Sequence, residues 1–237
     1  MIRGRGTGET AKILGRDDKE ATVSDRASRL MSLYTGVVAD VLDGMGYRDQ
    51  VLPGRIAPVT MDMKIAGPAF PGRGEPTDDP THDDSRQRLA MLESVPAGSV
   101  SVWDCAGYQG SAHWGEIMTR AVMERGCVGA VIDGGLRDTD FLLDLAFPVF
   151  CAFRSPASSI GRWDIVEWNK EITVDSTRVR PGDWVFGDVD GVVVVPTEVV
   201  DDVIAEAEER ADRETAMRAE LEAGAKPSEV FSRLGSF

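Results

Sequence analysis

The sequence predicts a single α/β domain with terminal extensions, from the order of its predicted elements, its hydrophobic content and its length. Short apolar segments alternate with helical segments through the middle of the chain, between residues 100 and 153. Hydrophobic residues make up 42% of the sequence, which is enough for a packed core, and charged residues make up an ordinary 28%. A chain of 237 residues is expected to form one domain with terminal extensions.

The predicted elements divide the chain into three parts. Residues 1–24 are polar and patternless and form an N-terminal extension, residues 25–200 form the main domain, and residues 201–237 form a helical arm. The main domain begins with an interrupted helical pattern from Ser24 to Gly44 and a short strand candidate at Met61–Ile65. Its central elements are predicted, in order, at Val100–Trp103, Glu116–Glu124, Val128–Ile132, Asp138–Leu145 and Pro148–Phe153, and three later strands at Ile172–Val174, Trp184–Phe186 and Val192–Val195.

Two local signals refine these boundaries. The turn residues Asp133-Gly134-Gly135 are expected to end the strand that begins at Val128. A long charged helix is expected to start at Thr197-Glu198 and to carry an apolar stripe formed by Val203, Ile204, Ala207 and Ala211. That stripe is consistent either with a surface helix packed by one face or with an arm that lies on a neighbouring subunit, and the sequence leaves both open.

The charge balance excludes one broad class of partner. Forty Asp and Glu residues face 26 Lys and Arg residues, which gives a formal net charge of -14. Such a chain repels the phosphate backbone of nucleic acids unless its basic residues cluster, and no run of more than two occurs. We therefore expect no nucleic-acid partner.

The apolar segments and the cysteines indicate the compartment. No apolar stretch is long enough to span a bilayer, and the amino terminus lacks the apolar region of a signal peptide. Cys105, Cys127 and Cys151 are odd in number and widely spaced, which is typical of free thiols in a reducing compartment. A cytoplasmic protein without a membrane partner is expected.

One pair of segments is predicted to meet in space. The helix from Glu116 to Glu124 advances about 14 Å at 1.5 Å per residue. The strand from Val128 to Ile132 returns about 16 Å at 3.3 Å per residue. Arg137 and Asp138 therefore come back beside Glu116, at the carboxyl ends of parallel strands, which is where α/β proteins bind ligands.

The residues at this edge suit a 2-oxo acid and a divalent cation. Glu116 and Asp138 supply the oxygen ligands that Mg²⁺ or Mn²⁺ prefers, and Arg137 supplies a planar fork for a carboxylate. The backbone N–H groups of Ile117 and Met118, in the first helical turn, favour an anion. The candidate substrate-binding residues are Gly115, His113, Ile117, Met118 and Arg137, the candidate catalytic residues are Arg137 and Glu116, and the candidate metal ligands are Asp138 and, through water, Glu116.

Each of these residues also has a structural alternative. Asp138 could cap the following helix, Glu116 is common at a helix start, and Arg137 could pair with either on the surface. His113 could orient the substrate, relay a proton or simply be hydrogen-bonded. Lys64 could form an imine, although no nearby residue is expected to lower its pKa.

The same residues carry a resemblance to a known family. The segment Trp114-Gly115-Glu116, the twenty residues that follow it, and the phrase GCVGAVIDGGLRD ending at Arg137-Asp138 resemble the RraA-like family. That family includes the 4-hydroxy-4-methyl-2-oxoglutarate/4-carboxy-4-hydroxy-2-oxoadipate aldolases and the regulator of ribonuclease E activity. The segments KIAGPA, from Lys64 to Ala69, and DVDGVVVVP, from Asp188 to Pro196, agree with it.

The resemblance implies a β/β/α swivelling-domain sandwich with a C-terminal helical arm. It also implies a homotrimer or a hexamer of two trimers. In the family's aldolases the residue matching Asp138 holds a divalent metal, the arginine matching Arg137 contacts pyruvate, and the acid matching Glu116 works through metal-bound water. Backbone amides matching Ile117 and Met118 meet the pyruvyl group.

These observations predict an aldolase that depends on Mg²⁺, Mn²⁺ or another divalent metal. We expect it to cleave a 4-hydroxy-2-oxo acid to pyruvate and a carbonyl product, and to decarboxylate oxaloacetate as a side activity. The alternative is a non-catalytic regulator of ribonuclease E, because Phe141 stands where many family aldolases carry an acid. A methyltransferase ranks last, since no glycine-rich loop follows a first strand.

Overall fold

The computed structural model describes residues 22–235, so the predicted extension lies outside the described residues except for 22–24. The helices are α1 (22–32), α2 (Thr35–Gly44), α3 (Ser85–Ser94), α4 (Glu116–Met123), α5 (Thr139–Asp144), α6 (Val200–Glu222) and α7 (Pro227–Leu234). The strands are β1 (Ala57–Pro58), β2 (Ile65–Pro76), β3 (Val100–Asp104), β4 (Ala112–Trp114), β5 (Gly129–Leu136), β6 (Val149–Arg154), β7 (Trp163–Trp168), β8 (Ile172–Val174), β9 (Thr177–Val179), β10 (Trp184–Asp188) and β11 (Gly191–Val195).

Nine of the strands form one mixed sheet. Its order is β1-β6-β5-β3-β2-β10-β11, with β4 added to β5 and β7 added to β2. The segments β3, β5 and β6 are mutually parallel, as the alternation of strands and helices predicts. Residues 50–52 bond to β11 and β1 bonds to β6, so the segment 50–58 nearly closes the sheet.

Alternating side chains place the core on both faces of this sheet. In β11, Val192 and Val194 point to the interior cluster, whereas Val193 and Val195 pack against helices α1, α2 and α6. In β5, Val131 points inward and its neighbours pack against the outer layer formed by α3, α4 and α5. A strand covered on both faces reads as a continuous apolar run, which explains the segment of four valines. The predicted swivelling-domain α/β sandwich is confirmed.

Two predicted boundaries are wrong. The strand expected at Met61–Ile65 begins only at Ile65 and continues for 12 residues, to Pro76. Strand β5 does not end at the Asp133-Gly134-Gly135 turn signal but continues to Leu136. The physical reason is the neighbouring β4, because a Cβ on Gly135 would lie 2.6 Å from the carbonyl oxygen of Ser111. Gly135 admits this neighbouring backbone, Gly134 admits the side chains of His113 and Cys105, and neither forms a turn.

The C-terminal arm packs on its own chain. The stripe of α6 is buried at Val203, Ile204 and Ala207 against α1 and α2, as a surface helix packed by one face would be. Further along, α6 contacts α7, in which Val230 is fully buried. This packing begins at Val200, so α6 completes one layer of the core of the main domain.

Two further expectations can be compared with the structure. All three cysteines are buried free thiols. Within residues 22–235, no helix combines the length and the apolar character needed to cross a bilayer.

Candidate active site

A cavity of about 360 Å³ opens at the carboxyl end of β5. Its walls come from four segments of the chain: helix α3, the β4–α4 junction, the residues after β5, and the loop at 158–160. Six of the predicted site residues belong to this lining, namely His113, Gly115, Ile117, Met118, Arg137 and Asp138. The helix and strand between Gly115 and Arg137 therefore bring the two ends of this segment together, as the sequence predicts.

The contact between Gly115 and the pair Arg137-Asp138 is unusually close. A Cβ on Gly115 would lie 2.6 Å from the Asp138 carboxylate and 3.1 Å from Cγ of Arg137. The Arg137 backbone N–H donates to the carbonyl of Trp114 at 3.1 Å, which fixes the two segments against each other. Only glycine permits this approach, so Gly115 positions the two charged side chains.

Asp138 is held in a conformation that side chains seldom adopt. Its backbone is left-handed, with φ 59° and ψ 35°, where aspartate is tolerated better than most residues. It occupies the N-cap position of α5 but its carboxylate makes no capping hydrogen bond, which removes the capping alternative. Oδ2 accepts from the Glu116 N–H at 3.3 Å and lies 3.5 Å from Nε of Arg137, while Oδ1 has no hydrogen-bond partner within residues 22–235.

The first turn of α4 faces the same cavity with its donors open. The N-cap residue is Gly115, which has no side chain that could accept a hydrogen bond from these donors. The N–H groups of Ile117 and Met118 find no acceptor in the described part of the chain. Unpaired N–H groups at a helix start attract negative charge, so this wall can bind a carboxylate or a keto oxygen.

Glu116 lies beside the cavity and not in its lining. Its carboxylate accepts a hydrogen bond from Nε of Arg120, one helical turn further along α4. The side chain is 20% exposed, and its own backbone N–H contacts Asp138. Glu116 is thus adjacent to the predicted metal ligand, but an arginine already occupies one of its oxygens.

His113 is a buried, neutral hydrogen-bond donor. The Gly135 N–H donates to Nδ1 at 2.9 Å, which places the ring proton on Nε2. That Nε2 is buried and has no partner among the described residues, although the ring lines the cavity. Burial, assisted by the charge of Arg88, lowers the pKa of His113 from its ordinary 6.5 to about 4. A histidine that stays neutral near pH 7 presents its Nε2–H as an uncharged hydrogen-bond donor.

The acidic groups at this site can be compared with what a divalent ion requires. Within residues 22–235, no three His, Cys, Asp or Glu side chains converge as a closed metal cage would need. Mg²⁺ is commonly bound by one or two carboxylates, with waters and substrate oxygens completing the shell. Asp138, with a free oxygen at the cavity, and Glu116 beside it fit that sparse arrangement.

The structure also identifies residues that the sequence reasoning missed. Arg88 lines the cavity from α3, and the buried Asp84 forms an ion pair with it at 2.8 Å. Their spacing of four residues was a usable signal for an ion pair at the start of a helix. Lys64 lies outside the cavity and donates to the Leu33 carbonyl at 2.7 Å, near the end of α1, so it is not placed as an imine-forming base.

Comparison with known proteins identifies proteins that are similar to this chain. "Putative 4-hydroxy-4-methyl-2-oxoglutarate aldolase" of Halalkalibacterium halodurans is 31% identical over 82% of this chain and 88% of that protein. The protein DlpA of Legionella pneumophila is 26% identical over 77% of this chain, but the match spans only 29% of DlpA. Streptomyces coelicolor RraAS2, described as an unusual member of the RNase ES inhibitor RraA protein family, shares the fold with a TM-score of 0.74. That match is 24% identical and covers 82% of this chain and 96% of RraAS2.

A family model provides the assignment. The model described as Aldolase/RraA matches residues 35–194, which is more than half of the chain and includes Gly115, Arg137 and Asp138. The chain belongs to the RraA-like family.

Proposed function

We propose that this protein is a divalent-metal-dependent aldolase of the class II, pyruvate-forming type. It cleaves a 4-hydroxy-2-oxo acid to pyruvate and a carbonyl product, and it decarboxylates oxaloacetate as a side activity. The observation that carries this proposal is the convergence of Arg137, Asp138 and the open N–H groups of α4 on one cavity. The name of the Halalkalibacterium relative supports the same reaction.

The substrate is held at its pyruvyl end. The guanidinium of Arg137 binds the carboxylate, and the N–H groups of Ile117 and Met118 donate to the pyruvyl oxygens. Asp138, with Glu116 through water, would hold Mg²⁺ or Mn²⁺, which when bound stabilises negative charge on the keto oxygen. Gly115 allows these groups to approach one point, since any side chain there would displace Asp138.

Cleavage of the 4-hydroxy-2-oxo acid needs no reactant other than water. Glu116 orders a water molecule that takes the proton of the 4-hydroxyl group, and the hydroxyl oxygen becomes a carbonyl. The bond between C3 and C4 breaks, and its electron pair forms the enolate of pyruvate, which Arg137 and the α4 amides stabilise. A proton from water then gives pyruvate. In oxaloacetate the bond between C3 and the C4 carboxylate breaks, C4 leaves as CO₂ without prior loss of a proton, and the electron pair forms the same enolate.

Pyruvate release from oxaloacetate, measured with and without EDTA and added Mg²⁺, tests this proposal. We expect activity that EDTA abolishes and that Mg²⁺ or Mn²⁺ restores. Arg137→Ala and Asp138→Ala are each expected to abolish it, whereas the matched control Arg178→Ala, at the exposed position of β9, retains it. An active Asp138→Ala variant would contradict the metal assignment.

The second candidate is a non-catalytic regulator of ribonuclease E. Phe141, at the position that is acidic in many family aldolases, is 54% exposed beside Asp138, and an exposed apolar ring favours a contact with another protein. The two candidates separate in the same assay. Metal binding without activity on any 4-hydroxy-2-oxo acid or on oxaloacetate would favour the regulator.

The quaternary structure that accompanies the aldolase is a homotrimer or a hexamer of two trimers. Large apolar side chains at the cavity rim support it, because Ile117 is 71% exposed and Leu89 is 59% exposed in the single chain. Light scattering coupled to gel filtration measures the mass. A monomer with full activity would contradict this assembly.

The expected setting is the cytoplasm, with a small 2-oxo acid as partner and neither nucleic acid nor membrane. The three buried thiols support a reducing compartment. The net charge of -14 supports the absence of a nucleic-acid partner.

A further inference from the structure

Arg88 is a second arginine in the cavity, and the reaction proposed above gives it no task. Its side chain is only 16% exposed and is held by the buried Asp84, whose two carboxylate oxygens accept from Nη2 at 3.0 and 2.8 Å. Asp84 in turn accepts from the Ile165 N–H at 3.0 Å, and Nη2 also reaches Oγ of Ser159 at 3.3 Å. The guanidinium is therefore fixed in place by one of its edges.

The other edge of Arg88 lacks a strong acceptor. Its Nη1 contacts only the thioether sulfur of Met118, at 3.7 Å, among the described residues, and thioether sulfur is a weak acceptor. His113 lacks an acceptor altogether, because its Nε2–H is buried without a partner among the described residues and its ring lines the same cavity. An unsatisfied buried donor is rare in native proteins, and one that shares a cavity with a weakly bonded guanidinium nitrogen indicates a missing acceptor.

The charge of this pair specifies the acceptor. His113 is neutral, and the positive charge of Arg88 lies near enough to contribute to the low pKa of that ring. Arg88 and the neutral donor together therefore suit a single anionic oxygen group. A carboxylate matches this pair, since it can accept from a guanidinium and a ring N–H at once.

Arg88 and Arg137 approach the cavity from different walls. Arg137 follows β5 and packs against Gly115, the N-cap of α4, whereas Arg88 projects from α3 and contacts Met118 in the first turn of α4. Two guanidinium groups on separate walls of one cavity suit the two ends of a diacid.

We propose that Arg88 and His113 form a second anion-binding subsite that recognises a carboxylate at the far end of the substrate. This inference rests on the proposed function for the assignment of the pyruvyl end to Arg137. It adds the residues that select substrates carrying a second carboxylate. Arg88 and His113 are specificity-determining residues, and Asp84 positions Arg88.

Binding of two matched acids tests the subsite without any turnover. The probes are 2-oxoglutarate and 2-oxopentanoate, which share the 2-oxo acid end and differ in a distal carboxylate against a methyl group. Isothermal titration calorimetry in the presence of Mg²⁺ is expected to give the wild-type protein at least a tenfold preference for the diacid. Arg88→Gln removes that preference and leaves the affinity for 2-oxopentanoate within about twofold.

Three further variants separate loss of the subsite from loss of folding. Arg88→Gln leaves a buried carboxylate unpaired, so the double variant Asp84→Asn/Arg88→Gln restores a neutral pair if the single variant unfolds. Arg88→Lys retains the charge and is expected to retain part of the preference, and His113→Phe is expected to reduce it. The matched control is Arg73→Gln, because Arg73 is similarly ion-paired, on β2, but lies outside the cavity.

The outcomes distinguish failure of the proposed subsite from failure of the proposed aldolase activity. Equal affinity of the wild-type protein for both acids, no binding of the diacid, or a preference that survives in Arg88→Gln or the double variant overturns the subsite. A diacid preference lost with Arg88, in a protein that forms no pyruvate, supports the subsite and refutes only the aldolase.

Discussion

Two aspartates lie at the carboxyl ends of strands in the same sheet, each beside a helix N terminus, and their carboxylates have opposite roles. Asp188, at the end of β10, is 4% exposed and accepts from the Thr35 N–H at 2.8 Å, from the Thr35 hydroxyl at 2.7 Å and from the Asp190 N–H at 3.0 Å. Asp138, just after β5, is 36% exposed on its side chain and leaves one oxygen free of any partner within the described residues. The Asp188 carboxylate is engaged on both oxygens and holds the first residue of α2, whereas the Asp138 carboxylate is partly open beside the start of α4.

The difference separates stability from function in this fold. A buried carboxylate with three donors stabilises α2 and the layer that α6 completes. An aspartate in a strained left-handed conformation, beside unpaired N–H groups, adds nothing comparable to stability and is retained where it can bind something. The contrast can be tested by changing each aspartate and measuring activity and stability together.

The largest expected effect is the loss of activity on changing Asp138. Asp138→Asn keeps the side-chain shape and tolerates the left-handed backbone, but it replaces the charged carboxylate that would hold the metal by a neutral amide. We expect pyruvate formation to fall roughly 10²- to 10³-fold, the scale seen when one charge-stabilising group is removed from an active site. Urea unfolding should change by less than about 1 kcal/mol, since this carboxylate does not cap α5. A variant with wild-type kcat/KM would contradict the contrast.

The second effect is the opposite one, at Asp188. Asp188→Ala removes three hydrogen bonds to a buried carboxylate, and we expect a loss of about 2–3 kcal/mol in the free energy of unfolding. The kcat/KM measured well below the melting temperature should stay within about twofold of the wild-type value. Urea denaturation and the pyruvate assay, run on the same preparation, measure both quantities. Unchanged stability would show that these three hydrogen bonds do not stabilise the fold.

The third effect appears only at acidic pH, and it concerns His113. The folded pKa of about 4 lies below the ordinary 6.5, so the unfolded chain binds the proton first as pH falls. Stability is therefore fully present above pH 6.5 and is lost as pH falls toward 4, by at most about 1.4 kcal/mol per pH unit. Urea unfolding between pH 4.5 and 7.5 should show a shallower slope for His113→Gln.

The control for that slope is the only other histidine of the sequence. His82, which is 44% exposed on its side chain and lies 3.7 Å from Asp164, is changed to Asn in parallel, so that a change of slope common to both variants is not assigned to His113. An identical slope in His113→Gln and the wild-type protein would show that His113 is not kept neutral by the fold.

The sequence predicted the part of this site that follows from element lengths. A helix and a strand of similar length, joined by a turn and leading back to one sheet edge, bring Arg137 and Asp138 to Gly115 whatever the rest of the chain does. The left-handed conformation of Asp138, the ring tautomer of His113 and the approach of Arg88 could not be read, because each depends on neighbours remote in sequence. The glycines after Asp133 resemble a turn for the same reason, since the sequence alone does not reveal that β4 packs against them.

The long strand β2 has a consequence for how the chain acquires its structure. It pairs with β10 through residues 65–68, with β3 through residues 69–73 and with β7 through residues 72–76. Its partners thus emerge from the ribosome at very different times, and β10 comes more than a hundred residues later. Until then the first part of β2 remains an open edge, the kind that joins other chains. Synthesis and refolding of this protein should therefore be slow and prone to aggregation at high concentration, whatever its final stability.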